Sequence, residues 1–199
     1  TRRSAMEALG NGFDEVNCHS EWLKILETTL DNHRRFGAAD STLLQTKCNL
    51  AVCYSGLGRN EEALKVRREV YARTVALRLS LPDEQVFVSS LNLAISLGHT
   101  GRYKEAKSFL REQLPAARRA FGEDGYMFLE FRSLYAEITL RDRSSTLDDF
   151  DEAELIVEDV VRRCQRVMGA VHPTTQTNKR LLHALKKIYA LNLERSSRA

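Results

Sequence analysis

The residue types most often used for metal binding and nucleophilic catalysis are few and scattered in this sequence. It has five histidines and four cysteines: His19, His33, His99, His172, His183, Cys18, Cys48, Cys53 and Cys164. A zinc site needs such residues at short, fixed spacings, and a nucleophile needs a base within hydrogen-bond reach. No Cys-x-x-Cys pair and no histidine pair at zinc-ligand spacing occurs. We therefore expect no catalytic residue, no metal site and no cofactor.

Two charged patterns could suggest binding chemistry. An acidic run has the residue types of a calcium site: Asp148, Asp149, Asp151 and Glu152. It lacks the glycine and the spacing of an EF-hand loop, so we expect it to place negative charge at a helix N-terminus.

Four arginine pairs recur along the chain: Arg34-Arg35, Arg67-Arg68, Arg118-Arg119 and Arg162-Arg163. They could form a phosphate-binding ladder, but we favour a solvated helix face paired with Glu69, Glu112 or Glu158.

Composition narrows the class of protein. Hydrophobic residues make up 43% and charged residues 29% of the 199 residues, and only 3 prolines and 10 glycines interrupt the chain. The net charge of +3 is too small to predict nucleic-acid binding. No apolar run approaches the roughly 20 residues of a membrane helix. No leader pattern opens the chain, and we expect an intracellular, cytoplasmic protein. Because Thr1 stands in place of Met, we expect a segment of a longer chain or a processed product.

Two segments of the sequence resemble each other closely. Residues 48–70 read CNLAVCYSGLGRNEEALKVRREV, and residues 91–113 read LNLAISLGHTGRYKEAKSFLREQ. The alanine of Asn-Leu-Ala recurs at Ala51, Ala94 and Ala136, at intervals of 43 and 42 residues. Repeats of this length indicate stacked supersecondary units, because one unit cannot bury its own apolar face. The pair Glu-Ala recurs at 62–63, 105–106 and 152–153, at intervals of 43 and 47 residues. A lengthened turn at 141–149 explains the longer interval.

Apolar residues within each unit follow helical spacing, so the unit is a helix, a Gly-Arg turn and a second helix. The pattern predicts about nine helices, at 2–9, 13–36, 41–57, 60–79, 84–99, 103–121, 126–141, 149–168 and 174–194, and no β-sheet. We expect one domain over 1–199, with units at about 1–37, 38–80, 81–122 and 123–169 and a terminal helix at 174–194. Small alanines let paired helices approach closely: Ala51, Ala94, Ala136, Ala63, Ala106 and Ala153.

The Asn-Leu-Ala, Gly-Arg-x-x-Glu-Ala and Arg-Glu motifs at this period resemble tetratricopeptide repeats (TPRs) of the kinesin light chain type. The resemblance implies an all-α solenoid, a right-handed superhelix of stacked antiparallel helix pairs whose first helices line a concave groove for a partner segment. Carried over by position, the groove residues are Gln45, Asn49, Val52, Val88, Asn92, Ile95, Glu130, Ser133, Glu137 and Arg180. Asn49 and Asn92 would bond a bound peptide or else the neighbouring helix; Leu134 occupies their position in the third unit.

The resemblance implies a non-enzymatic module that binds a protein or peptide, and we expect no nucleic acid, membrane or small-molecule ligand. Kinesin light chains hold acidic cargo peptides in a basic groove, whereas this chain offers Glu130 and Glu137 there. The lysines or arginines that clamp chaperone C-termini in other TPR proteins are also missing from the first two units. Two alternatives remain open: a structural subunit of a larger assembly, and a regulatory domain of an enzyme whose catalytic part lies elsewhere.

Overall fold

The computed structural model describes residues 16–78 and 80–196, and every regular element within them is an α-helix. The eight described helices are α1 (Val16–Arg35), α2 (Asp40–Gly56), α3 (Asn60–Ala76), α4 (Asp83–His99), α5 (Tyr103–Phe121), α6 (Tyr126–Arg141), α7 (Leu147–Met168) and α8 (Pro173–Ser196). They confirm eight of the nine predicted helices to within a few residues at each end. The ninth, predicted at 2–9, lies outside the described residues.

The chain forms two compact units, divided between Ser96 and Leu97. In the first unit α1 packs against α2, and α2 packs against α3. In the second unit each of α5, α6 and α7 packs against the helix that follows it, and α6 also touches α8. Packing between consecutive helices is the arrangement of an all-α helical solenoid.

The predicted small alanines are all buried. Ala51, Ala94, Ala106, Ala136 and Ala153 have no exposed surface, and Ala63 is 1% exposed. In the second unit, Ala136 of α6 and Ala153 of α7 belong to one core cluster that also contains Leu185 of α8. A larger side chain at these positions would hold the helix axes apart, so the alanines explain why the motif is repeated.

The Gly-Arg turns end the first helices as expected. Gly58 and Gly101 have φ angles of 72° and 73°, in the left-handed region that glycine enters at little cost. After each of them an arginine N–H turns back to the helix: Arg59 N donates to Tyr54 O at 2.8 Å, and Arg102 N donates to Leu97 O at 2.9 Å. This geometry satisfies carbonyls that a helix end would otherwise leave unbonded.

The lengthened turn before α7 ends in a reciprocal cap. Asp149 N donates to Thr146 Oγ1 at 3.2 Å, and Thr146 N donates to Asp149 Oδ2 at 2.8 Å. The bond from the Thr146 backbone lowers the pKa of Asp149. The acidic run therefore caps and stabilises a helix N-terminus, as predicted.

Gly56, at the end of α2, leaves room for the His19 ring of α1. A Cβ atom at this position would lie 2.4 Å from His19 Cδ2 and Nε2. We expect Gly56→Ala to lower the free energy of unfolding by about 1–2 kcal/mol, because the contact forces a shift between α1 and α2. Chemical denaturation of the purified variant measures this.

A matched control is Gly98→Ala in α4, where the added methyl meets Ile138 at an ordinary 3.6 Å. That change should be neutral or stabilising, since alanine favours a helix over glycine by about 0.5–1 kcal/mol. If Gly56→Ala behaved like Gly98→Ala, the close packing of His19 on Gly56 would be wrong.

Candidate functional site

The predicted groove residues of α2 lie on its exposed face. Val52 is 55% exposed, Gln45 is exposed, and Asn49 is half-buried. Gln45 Nε2 donates to Asn49 Oδ1 at 3.2 Å, a bond within one helix. Among the described residues Asn49 makes no hydrogen bond to another helix. Its amide N–H groups therefore remain available to a ligand.

The same face of α4 carries Val88, Asn92 and Ile95. Val88 is 42% exposed, and the other two are half-buried. No hydrogen bond joins Asn92 to another helix within the part of the chain that the structure describes. This face thus combines exposed apolar surface with an amide that is not bonded to a neighbouring helix, as α2 does.

The corresponding face of α6 differs, because Ser133 is bonded to α8. Ser133 Oγ lies 2.7 Å from Asn178 Oδ1 and 2.9 Å from Leu129 O, so its single hydrogen is shared between two acceptors. Asn178 is 3% exposed and donates through Nδ2 to Thr174 O at 3.0 Å. Ser133 therefore holds two helices together. Asn178 is not among the predicted groove residues, since nothing in the sequence pairs it with Ser133.

Two carboxylates give this face of α6 its charge. Burial raises the pKa of Glu130, a hydrogen bond from Tyr126 lowers it in part, and the nearby Glu137 carboxylate raises it further. Glu137 itself pairs with Arg141, with 2.6 Å between Oε1 and Nη2. Arg180 is exposed on α8 and forms no ion pair with either carboxylate among the described residues. Arg141 thus balances the charge of Glu137, whereas no cation of the described chain pairs with Glu130.

Four arginines of the recurring pairs contact carboxylates, although not the predicted ones. Arg163 contacts three acids at 2.8–2.9 Å: Asp159, Glu123 and Asp124. Arg34 contacts Asp31, Arg118 contacts Glu123, and Arg162 contacts Asp159. Two of the predicted acids instead pair with lysines: Glu69 with Lys47 at 2.8 Å, and Glu158 with Lys186 at 2.7 Å. Asp31 and Asp159 lie one helical turn before their arginines on the same helix, whereas Glu123 and Asp124 come from the turn between α5 and α6.

Asp159 is the centre of the largest of these networks. Burial alone would raise its pKa, but hydrogen bonds from Arg132, Arg163 and Arg162 outweigh this and lower it strongly. Arg132 and Asp159 are 17% and 18% exposed, and their atoms lie 2.5 Å apart. The network joins α6 and α7 and leaves little free positive charge on that side of α7.

The three described thiols are held in their neutral form by burial. Burial raises the pKa of Cys53 to about 11 and also raises the pKa values of Cys48 and Cys164, which disfavours the reactive thiolate. Within the described ranges no three His, Cys, Asp or Glu side chains come together as a metal site. None of the described helices combines the length and apolarity needed to span a bilayer.

Comparison with known proteins gives matches to a repeat family and to solved structures. The family model for the tetratricopeptide repeat matches residues 89–125 and 143–174. No curated protein sequence matches the chain. Sixteen chains of solved structure match, including crystal structures of a Podospora anserina protein assigned as a kinesin light chain with nearly identical TPR-like repeats, and of a single-residue variant of that protein.

Both crystal structures are 17% identical to this chain, with a TM-score of 0.73. The alignments cover 98% and 100% of this chain, and 90% and 97% of the respective solved chains. At this identity the likeness establishes the fold, which agrees with the consecutive packing of the described helices. Residues 89–125 and 143–174 match the tetratricopeptide repeat model, and the chain has the all-α fold of the solved TPR-like structures to which it is similar.

Proposed function

We propose that this chain is a non-catalytic interaction module that binds an extended segment of a partner protein. The segment contacts the groove residues of α2 and α4, which belong to the first unit. In the second unit, the groove residues of α6 and α8 form a candidate face of their own. A repeat array presents such a surface preformed, so mainly the partner loses conformational freedom on binding. Three free thiols, Cys48, Cys53 and Cys164, suit a reducing compartment, and we place the module in the cytoplasm.

The observation that carries this proposal is the shared character of α2 and α4. Asn49 and Asn92 are 43 residues apart, and so are Val52 and Ile95. Each helix therefore presents an amide that is not bonded to another helix beside apolar surface. An amide can both donate to and accept from the backbone of an extended peptide, and the apolar surface can bury the peptide's side chains.

The α6 face limits the chemistry of the partner. Glu130 repels an acidic segment, because it is partly buried and no cation of the described chain pairs with it, whereas Glu137 is balanced by Arg141. We therefore expect a segment bound by α2 and α4 to be apolar or uncharged, and a segment bound at the α6 face to be neutral or basic. This charge pattern disfavours the acidic cargo peptides that kinesin light chains hold.

The test begins with a photo-crosslinking amino acid at Val52 or Val88, which identifies the partner segment by mass spectrometry. Fluorescence anisotropy with the corresponding synthetic peptide then measures the affinities of Asn49→Ala and Asn92→Ala. Each variant should bind about fivefold to tenfold more weakly, because each loses a hydrogen bond worth about 1 kcal/mol. Circular dichroism should show unchanged helix content.

Gln165→Ala supplies the control, since it removes an exposed amide from α7, away from the predicted groove. It should leave the affinity unchanged. Crosslinks that formed equally well from Leu155, or affinities that were equal in all three variants, would contradict binding at the α2 and α4 faces.

A second candidate function, a structural subunit of a larger assembly, is favoured by exposed apolar residues at and after α7. Leu155 is 68% exposed, Val167 is 54% exposed, and Val171 is 89% exposed. Large apolar side chains in contact with water are a common feature of protein interfaces. In this case Leu155→Ser would abolish co-purification with the assembly, whereas Asn49→Ala would not.

A further inference from the structure

Arg67 of α3 is buried without an ion-pair partner, unlike the other deeply placed cations of the described chain. It is 9% exposed, and its Nε is enclosed and has no hydrogen-bond partner. Three other cations are less buried and are all paired. Lys107 is 12% exposed and contacts Asp142, Arg132 is 17% exposed and contacts Asp159, and Arg163 is 20% exposed and contacts three acids.

No acidic residue compensates the charge of Arg67 in the described part of the chain. Glu69, two residues further along the same helix, is held by Lys47 at 2.8 Å. The ionisable group that does act on Arg67 is the Cys48 thiol of α2. Burial lowers the pKa of Arg67 and raises that of Cys48, while the positive charge of Arg67 partly offsets the rise at Cys48. A neutral thiol is only a weak hydrogen-bond acceptor.

Burying an unpaired guanidinium is costly, and the cost falls when an anion pairs with it. Arginine is also the side chain best suited to oxyanions, because its planar N–H groups match two oxygens at once. Cys48 is half-buried, so the position that it shares with Arg67 between α2 and α3 is not fully closed to solvent.

We propose that Arg67 and Cys48 form an oxyanion-binding site between α2 and α3 of the first unit, which takes a phosphate or a carboxylate. The guanidinium N–H groups of Arg67 donate to the oxyanion, and the Cys48 S–H adds a weak donor beside them. Cys48 lies about one helical turn from the groove residues Gln45 and Val52 of α2, whereas Arg67 lies on α3. The oxyanion site stands whether or not the proposed partner binds at the groove.

Thermal unfolding tests the site with inorganic phosphate and with glutarate, each compared with chloride at the same ionic strength. At ten times the dissociation constant, the bound oxyanion should raise the Tm of the wild-type protein by roughly 3–6 °C. Arg67→Met should lose this shift. Arg34→Met, which removes an exposed arginine of the same unit, should keep it.

The two probes also distinguish the source of the oxyanion. A shift with phosphate alone indicates a phosphate or phosphorylated ligand, and a shift with glutarate alone indicates an acidic side chain. An equal shift in wild type and Arg67→Met would be a general salt effect and would overturn the proposal. So would the absence of a shift with either probe.

Cys48→Asp tests the same idea without a ligand, since it supplies an internal carboxylate. Its Tm in chloride should exceed that of Cys48→Asn by several degrees, and it should no longer respond to phosphate or glutarate. Cys48→Asn has nearly the same size and polarity but no charge. If the Asp and Asn variants had equal Tm values, Arg67 would not need an anion, and the proposal would fail even if Arg67→Met did not fold.

Discussion

Leu185→Ala is expected to lower the free energy of unfolding by about 3–4 kcal/mol, because it opens a cavity in the core of the second unit. Leu185 of α8 has no exposed surface and belongs to a cluster with Ala136, Phe150, Ala153, Val157 and Val161. The alanines at the centre of this cluster already place the helix backbones close together. The surrounding side chains therefore have little freedom to move into the space that the leucine leaves.

Urea denaturation followed by circular dichroism measures the effect, with Leu191→Ala as the matched control. Leu191 lies on the same helix but is 41% exposed, so the same substitution there should cost less than about 0.5 kcal/mol. The denaturant m-value should not change, because α8 should unfold together with its unit. Equal losses at the two positions would show that α8 does not dock as the structure places it.

Asp142→Ala should destabilise the second unit by about 3 kcal/mol, since it leaves a buried lysine without its counter-ion. Asp142 Oδ2 lies 2.9 Å from Lys107 Nζ of α5, and their side chains are 6% and 12% exposed. Asp142 Oδ1 also accepts hydrogen bonds from Ser144 N at 3.0 Å and from Ser144 Oγ at 2.7 Å. One carboxylate thus joins α5 to the turn between α6 and α7.

The double variant Lys107→Met/Asp142→Leu is the informative comparison, because it removes both charges instead of stranding one. It should recover most of the lost stability, as apolar replacements of buried ion pairs often do. Its single variants, Lys107→Met and Asp142→Leu, are measured beside it. If the loss of stability in the double variant equalled the sum of the two single losses, it would come from packing and not from the stranded charge.

The pH dependence of Asp142 has a definite sign. Burial alone would raise its pKa, but the contacts with Lys107 and Ser144 outweigh this and lower it below the ordinary value. Its contribution to stability is therefore complete above roughly pH 4, the unfolded-state pKa, and is lost as the pH falls toward the folded-state value. In Asp142→Asn the free energy of unfolding should fall less steeply with acidification in this range.

Local and repeated features of this protein could be predicted from its sequence. Helix spacing of apolar residues located the eight described helices, and Gly58 and Gly101 marked the ends of α2 and α4, because a helix and its left-handed cap depend on residues within a few positions. The 43-residue recurrence of Asn-Leu-Ala predicted stacked units and the burial of their alanines. The exposed positions of Gln45, Val52 and Val88 follow from the same helical geometry.

Pairings between distant polar residues were decided by tertiary structure alone. Ser133 and Asn178 are 45 residues apart, and Arg163 is 39 residues from Asp124, so their contacts depend on which faces the packed helices turn toward each other. The predicted pairing of the arginines with Glu69 and Glu158 was wrong, because Lys47 and Lys186 of neighbouring helices pair with these two acids instead. Burial of Arg67 likewise depended on the fold, since hydrophobic patterning assigns charged residues to the surface.

The sequence alone thus determined where the chain forms helices and which small residues lie between them. Three-dimensional packing decided which charges are compensated, because charge compensation depends on distances of a few ångströms between segments that are far apart in the chain.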